Sequence, residues 1–153
     1  MVTINWCLKQ SRGIELVKPN DNLAKEYLSS SEETLFSLKN SNETSNMWKA
    51  TKKYYAEYLA VYALMMKLGI KCEIHDCTIE ITKLLKDIFP KNTYSILFED
   101  KKLRTDNPYY LKNIVVEIDY EELFNFILEI KNTINSISPK EIQNLRTSLK
   151  KLS

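Results

Sequence analysis

Only two glycines, Gly13 and Gly69, and four prolines occur in the 153 residues. Both residue types interrupt regular backbone, so their scarcity predicts long, unbroken helices. Arginine is also rare: of 22 basic residues only Arg12, Arg104 and Arg146 carry a guanidinium, the better bidentate phosphate ligand. There is a single histidine, His75, and there are three cysteines, an odd number without the spacing of a secreted disulfide framework. No apolar run approaches the roughly 20 residues that span a bilayer. The longest, Leu59 to Met66, lies inside an amphipathic pattern. The first residues include Trp6, Cys7 and Arg12 and lack the basic-then-apolar layout of a signal peptide. These absences predict a cytoplasmic protein with no membrane attachment.

What is present fits one globular domain, residues 1–153, long enough to bury a sizeable core. Hydrophobic residues make up 44% and charged residues 27%. The net charge is only +2, which argues against the broad basic surface of a general nucleic-acid binder.

Residues 1–19 show no sustained period and read as an ordered or semi-ordered arm ending at Pro19. Asn20 or Asp21 supplies an N-cap for a first helix to about Lys39, with Leu23, Ala24, Tyr27, Leu28, Leu35 and Leu38 at helical spacing. Thr44 or Ser45 caps the second, whose apolar residues from Met47 to Met66 cover much of its circumference, as in a helix with several neighbours. Gly69 fits its C-terminal cap. Asp76 is expected to cap a third helix ending at Pro90, and a fourth spans Thr93 to Asp106. The β-branched stretch Asn113 to Ile118 suits a short strand, but no partner strand is evident. Asp119 with Glu122 resembles a capping box, and Ser138-Pro139 opens a last charged helix. The expected fold is all-α, an up-and-down bundle of five to six helices.

Cys72, His75 and Cys77, with Cys7, make a Cys3His set suited to tetrahedral zinc, yet Cys72 and Cys77 are five apart rather than in a tight Cys-x2-Cys pair. Buried structural cysteines are the simpler expectation, so no metal or other cofactor is assigned. A disulfide from Cys7 to either later cysteine stays open. A Cys–His nucleophile pair lacks an orienting third group. In LRTDNPYY, Arg104, Asp106, Tyr109 and Tyr110 suit gripping a phosphate and contacting a base, set against structural hydrogen bonding and core cover. His75 and Asp76 complete the set of candidate ligand-binding residues. Tyr54, Tyr55, Tyr58 and Tyr62 form a stacking ladder if exposed; among Leu, Val and Met they read as core or dimer interface.

The segment KATKKYYAEYLAVYALMMKLGIKCEIHDC resembles the second-helix signature of the HEPN domain (higher eukaryotes and prokaryotes nucleotide-binding) through Ala50, Tyr54, Tyr55, Tyr58, Ala63, Leu64, Gly69, Ile70 and His75. LRTDNPYY is similar to that family's Arg-x-x-Ala-Asp-Tyr stretch, and WCLKQSRGIELVKPNDNLAKEYL looks like an archaeal-type branch. The resemblance implies a helical bundle that forms a homodimer and acts beside a small nucleotidyltransferase as a toxin–antitoxin-type pair. It also implies nucleotide or RNA binding. Active members are metal-independent RNases with an Arg-x4–6-His motif, in which Arg stabilises the phosphorane and His exchanges protons. Here the positions after Arg104 hold Tyr109, Tyr110 and Leu111. A phenol with a pKa of about 10 is a poor base near neutral pH. The expectation is therefore a non-catalytic member; the alternative is a divergent RNase using Arg104 and His75.

Overall fold

A computed structural model describes residues 2–153, and Met1, the first residue of the predicted arm, lies outside the described residues. Seven helices follow in chain order: α1 (Ile4–Lys9), α2 (Asp21–Asn40), α3 (Asn46–Leu68), α4 (His75–Leu84), α5 (Thr93–Asp106), α6 (Tyr120–Ser136) and α7 (Pro139–Lys150). Two short strands, β1 (Ile14–Leu16) and β2 (Ile70–Cys72), complete the fold. It is an all-α bundle with a minimal sheet. It has one helix more than the upper expectation, because the predicted arm folds into α1 and β1.

Helix α3 is the axis. It packs against α2, α5, α6, β2 and α7, and the physical reason is its composition. Tyr54, Ala56, Ala60, Val61, Ala63, Leu64, Met65 and Leu68 are essentially inaccessible and lie around most of its surface. The alanines let neighbouring backbones approach, as where Ser31 Oγ of α2 donates to the Ala56 carbonyl at 2.5 Å. Each large apolar side chain so buried contributes about 1.5–3 kcal/mol.

Local chemistry sets most helix ends. Asn20 Oδ1 accepts from the Leu23 amide at 2.9 Å, and Ser45 Oγ accepts from that of Trp48. Asp119 accepts from the Glu122 amide, and Ser138 with Glu141 forms a reciprocal capping box. Helix α3 stops at Gly69, whose φ of +74° is the left-handed conformation that glycine adopts without a Cβ penalty. Arg146 of α7 reaches this turn and donates Nη1 to the carbonyls of Val17, Leu68 and Gly69 at 2.7, 3.1 and 2.8 Å.

Two expected boundaries differ. Helix α4 begins at His75, not after an Asp76 cap: Ile74 precedes it with no capping side chain, and Asp76 sits in the first turn. It ends at Leu84, with turns filling the distance to Pro90. The stretch from Asn113 to Ile118 forms no strand, and its first residue, Asn113, takes a left-handed φ of +50°. In place of a ladder, Asn107 brackets Ile114, accepting from its amide at 2.6 Å and donating to its carbonyl at 3.2 Å. Asn46 accepts from the Val116 amide.

The arm is tied to its own chain. Strand β1 pairs antiparallel with β2, Ile14 opposite Cys72 and Leu16 opposite Ile70. Cys7 and Cys77 form a disulfide joining α1 to α4. That bond removes both sulfurs from any Cys3His set, and Cys72 is left as a buried free thiol.

Candidate anion-binding site at His75 and Arg104

The β2–α4 junction delivers His75 to the face of α3 that carries Tyr54 and Tyr58, residues four apart and therefore stacked along one side of the helix. The imidazole lies flat on the Tyr58 ring, centroids 4.2 Å apart and planes 4° apart. Its Nδ1 is 2.8 Å from the Tyr54 hydroxyl. Among the described residues Nε2 makes no hydrogen bond. One ring nitrogen is fixed and the other is free, which holds the side chain in one orientation.

Arg104 approaches the same tyrosines from α5. Its guanidinium carbon is 5.1 Å from the Tyr54 centroid and 5.4 Å from that of Tyr55, within cation–π range. Nη1 donates to the Tyr55 hydroxyl at 3.3 Å, while Nε is buried without a partner. Lys101, one turn earlier on α5, is 2.6 Å from Asp76 in the first turn of α4. His75, Asp76, Lys101 and Arg104 are all partly exposed. They form a small surface of two fixed positive charges, one carboxylate and an imidazole, floored by phenols.

The electrostatics favour a neutral imidazole. Burial lowers the His75 pKa below 6.5, and the charges of Arg104 and Lys101 act in the same direction; Asp76 opposes them. Burial also pushes the Tyr54 and Tyr58 phenols well above their usual range, so they stay protonated as hydrogen-bonding groups. Cys72 is likewise raised by burial and donates to the Ile74 carbonyl, the behaviour of an inert thiol.

Of the residues singled out in the sequence, the fold brings His75, Asp76 and Arg104 together. Asp106 is buried at the end of α5 and pairs with Lys112 at 3.4 Å. Tyr109 and Tyr110 lie beyond that helix, 69% and 66% exposed, and neither is among the hydrogen-bond or ring partners of His75 and Arg104. Tyr110 instead takes Lys112 over its ring. The sequence pattern left out Lys101 and gave the tyrosines no part beside His75. A signal was available for Lys101, three residues before Arg104 and hence on the same face of α5. Of the other two arginines, Arg12 makes an exposed pair with Glu73 and Arg146 is the clamp at Gly69.

Chemically, the site can hold an oxyanion: guanidinium and ammonium supply charge-assisted donors, and the imidazole supplies a free nitrogen. No helix of the described residues is long and apolar enough to cross a membrane. No family model matches the chain, and neither a curated protein nor a solved structure shows significant similarity to it.

Proposed function

We propose that this chain is a HEPN-like helical protein, non-catalytic, that binds the phosphate of a nucleotide or RNA at the His75–Arg104 surface. It acts in the cytoplasm as a homodimer beside a minimal nucleotidyltransferase, in a toxin–antitoxin-type or related two-component system. The ligand class rests on one observation above all: Arg104 and Lys101 stand one turn apart on α5 beside a partly exposed imidazole. Partner and dimer rest on the sequence resemblance. In a reducing cytoplasm the Cys7–Cys77 bond competes with the thiol pool, so its state in cells reports on the location.

The test is fluorescence anisotropy with a short labelled RNA and with labelled ATP, at two salt concentrations. Saturable binding that weakens about tenfold in Arg104→Ala, as loss of a charge-assisted bond implies, supports the proposal. Binding by neither ligand, or equal binding by the variant, removes the site. Co-purification with a minimal nucleotidyltransferase from a cognate lysate, and sedimentation at twice the chain mass, test the partner and the dimer.

A second reading, a metal-independent RNase, is favoured by a different observation: the imidazole is neutral and presents a free Nε2 near a guanidinium. It requires RNA cleavage in chelator that His75→Ala abolishes. Cleavage that survives the substitution belongs to another protein or another site.

A further inference from the structure

The opposite side of α5 carries chemistry that the anion site does not use. Asp100, next in sequence to Lys101, faces α3 and pairs with Lys53, which also reaches Glu57 Oε2 at 3.3 Å. Glu57 is only 3% exposed, and its second oxygen, Oε1, has no partner. It faces a cavity of about 210 Å³ between α3, α5 and the start of α6. Six carboxylates line this cavity, Glu57, Glu99, Asp100, Glu117, Asp119 and Glu122, against one cation, Lys53. The apolar wall is Ile96, Leu123 and Phe126. A wider trough of about 480 Å³ shares Ile96, Asp119, Glu122 and Phe126 with the cavity and continues past Glu121 and Glu129 along α6, with Lys91 as the one cation in its lining.

We propose that this trough binds a linear organic polycation, an alkyl diamine or polyamine, with one primary ammonium at Glu57 and the next against the carboxylates of α6. Three features select that class. Glu57, hydrogen-bonded to Asp100 and paired with Lys53 through one oxygen, keeps its other oxygen without a partner, and a primary ammonium that enters by displacing the lining side chains supplies a donor there. The apolar wall between the acidic ends matches the methylenes, as aliphatic stems of charged side chains match apolar surface elsewhere. A bare divalent ion needs several oxygens converging at about 2.0–2.6 Å, and no three acidic, His or Cys side chains among the described residues are so grouped.

Burial raises the Glu57 carboxyl well above its usual range, with Lys53 opposing and Asp100 adding to the rise. An incoming ammonium at Glu57 therefore favours loss of the proton there, and the lining groups that share the field are Lys53, Glu99, Asp100, Glu117, Asp119 and Glu122.

Titration calorimetry of the full chain with spermidine and with 1,4-diaminobutane, in two buffers of different ionisation enthalpy, tests the proposal. MgCl2 at matched ionic strength serves as control. The expected result is saturable one-to-one spermidine binding, with proton release, weakened about tenfold or more by Glu57→Gln. Because Glu57 is in the core, Glu122→Gln and Glu129→Gln at the rim supply the second test, with circular dichroism to verify folding; each is expected to weaken spermidine more than the shorter diamine. No saturation, equal displacement by Mg2+, or unchanged affinity in the rim variants overturns it. A lysine-rich peptide that saturates where spermidine does not would also overturn it, since the trough would then belong to a protein partner.

Discussion

Opening the Cys7–Cys77 disulfide with reductant should destabilise the protein by several kcal/mol. The bond spans a sequence separation of 70 residues, from α1 to the first turn of α4. Loop-closure entropy for a ring of that size amounts to about 4.4 kcal/mol at 25 °C, against a total stability of roughly 5–15 kcal/mol for a domain. Few local contacts compensate, because α1 is six residues long and, beyond the disulfide, packs chiefly on α4 and β1. Urea unfolding of oxidised and reduced protein measures the difference. With a slope of about 2 kcal/mol/M the midpoint should fall by about 2 M. Cys7→Ser should reproduce the shift and become insensitive to reductant. A difference below about 1 kcal/mol would refute the reasoning, as would peptide mapping that links Cys7 to Cys72. Cys77 lies two residues from His75, so reduction also frays the α4 end that delivers the imidazole; ligand binding at His75 should weaken under reductant before global unfolding.

Arg146→Ala removes three charge-assisted bonds at the α3 stop and should lower stability by about 2–3 kcal/mol in the same urea assay. Gly69→Ala forces a Cβ into the left-handed region and into the Arg146 guanidinium and the Val17 carbonyl; a loss of at least about 1–2 kcal/mol is expected, and an unchanged midpoint would contradict the described turn. The His75 pKa is lowered on folding, so the unfolded chain binds the proton more readily. The associated stability is complete above the unfolded value of about 6.5 and is lost as pH falls from there through the folded pKa. Proton NMR of the single imidazole should give a midpoint below 6.5 in the native protein, moving upward in Arg104→Ala.

Where helix ends depend on adjacent residues, the sequence was readable. Asn20, Ser45, Gly69, Asp119 and Ser138 each mark the boundary that their side chain or φ angle creates. The failures share a physical cause. Helix α1 and β1 are too short to carry a period, and they exist because a disulfide and β2, more than fifty residues away, hold them. The stretch Asn113 to Ile118 has strand-like residues, but its hydrogen-bond partners are the side chains of Asn46 and Asn107 rather than a strand. His75 and Arg104 were both conspicuous as rare residue types. Their meeting was not, since it follows from α4 packing on α5 and from the tyrosines of α3 lying between them. Tyr109 and Tyr110 show the reverse. A few residues past Arg104 in sequence, they are carried away from it once α5 ends at Asp106.

Lys53 is the point at which α3 and α5 are electrostatically joined, and its removal distinguishes a structural ion pair from a ligand site. Burial alone would lower its pKa, but the carboxylates of Glu57 and Asp100 outweigh that and raise it. Lys53→Met would leave those two carboxylates facing each other without a counterion. Breaking a buried pair on one side costs about 3–5 kcal/mol, and the side chains here are mostly shielded from solvent. The deficit should shrink as pH falls, because protonating Glu57, whose carboxyl burial already raises, removes the repulsion; a deficit independent of pH would mean lost packing only. Adding Glu57→Leu to the variant removes the second charge and should restore much of the stability. If the trough accepts an alkylammonium, spermidine should stabilise Lys53→Met more than the parent, because the ligand's charge then stands where the lysine ammonium stood. Equal stabilisation of both would show that the amine acts on the surface and not at Glu57.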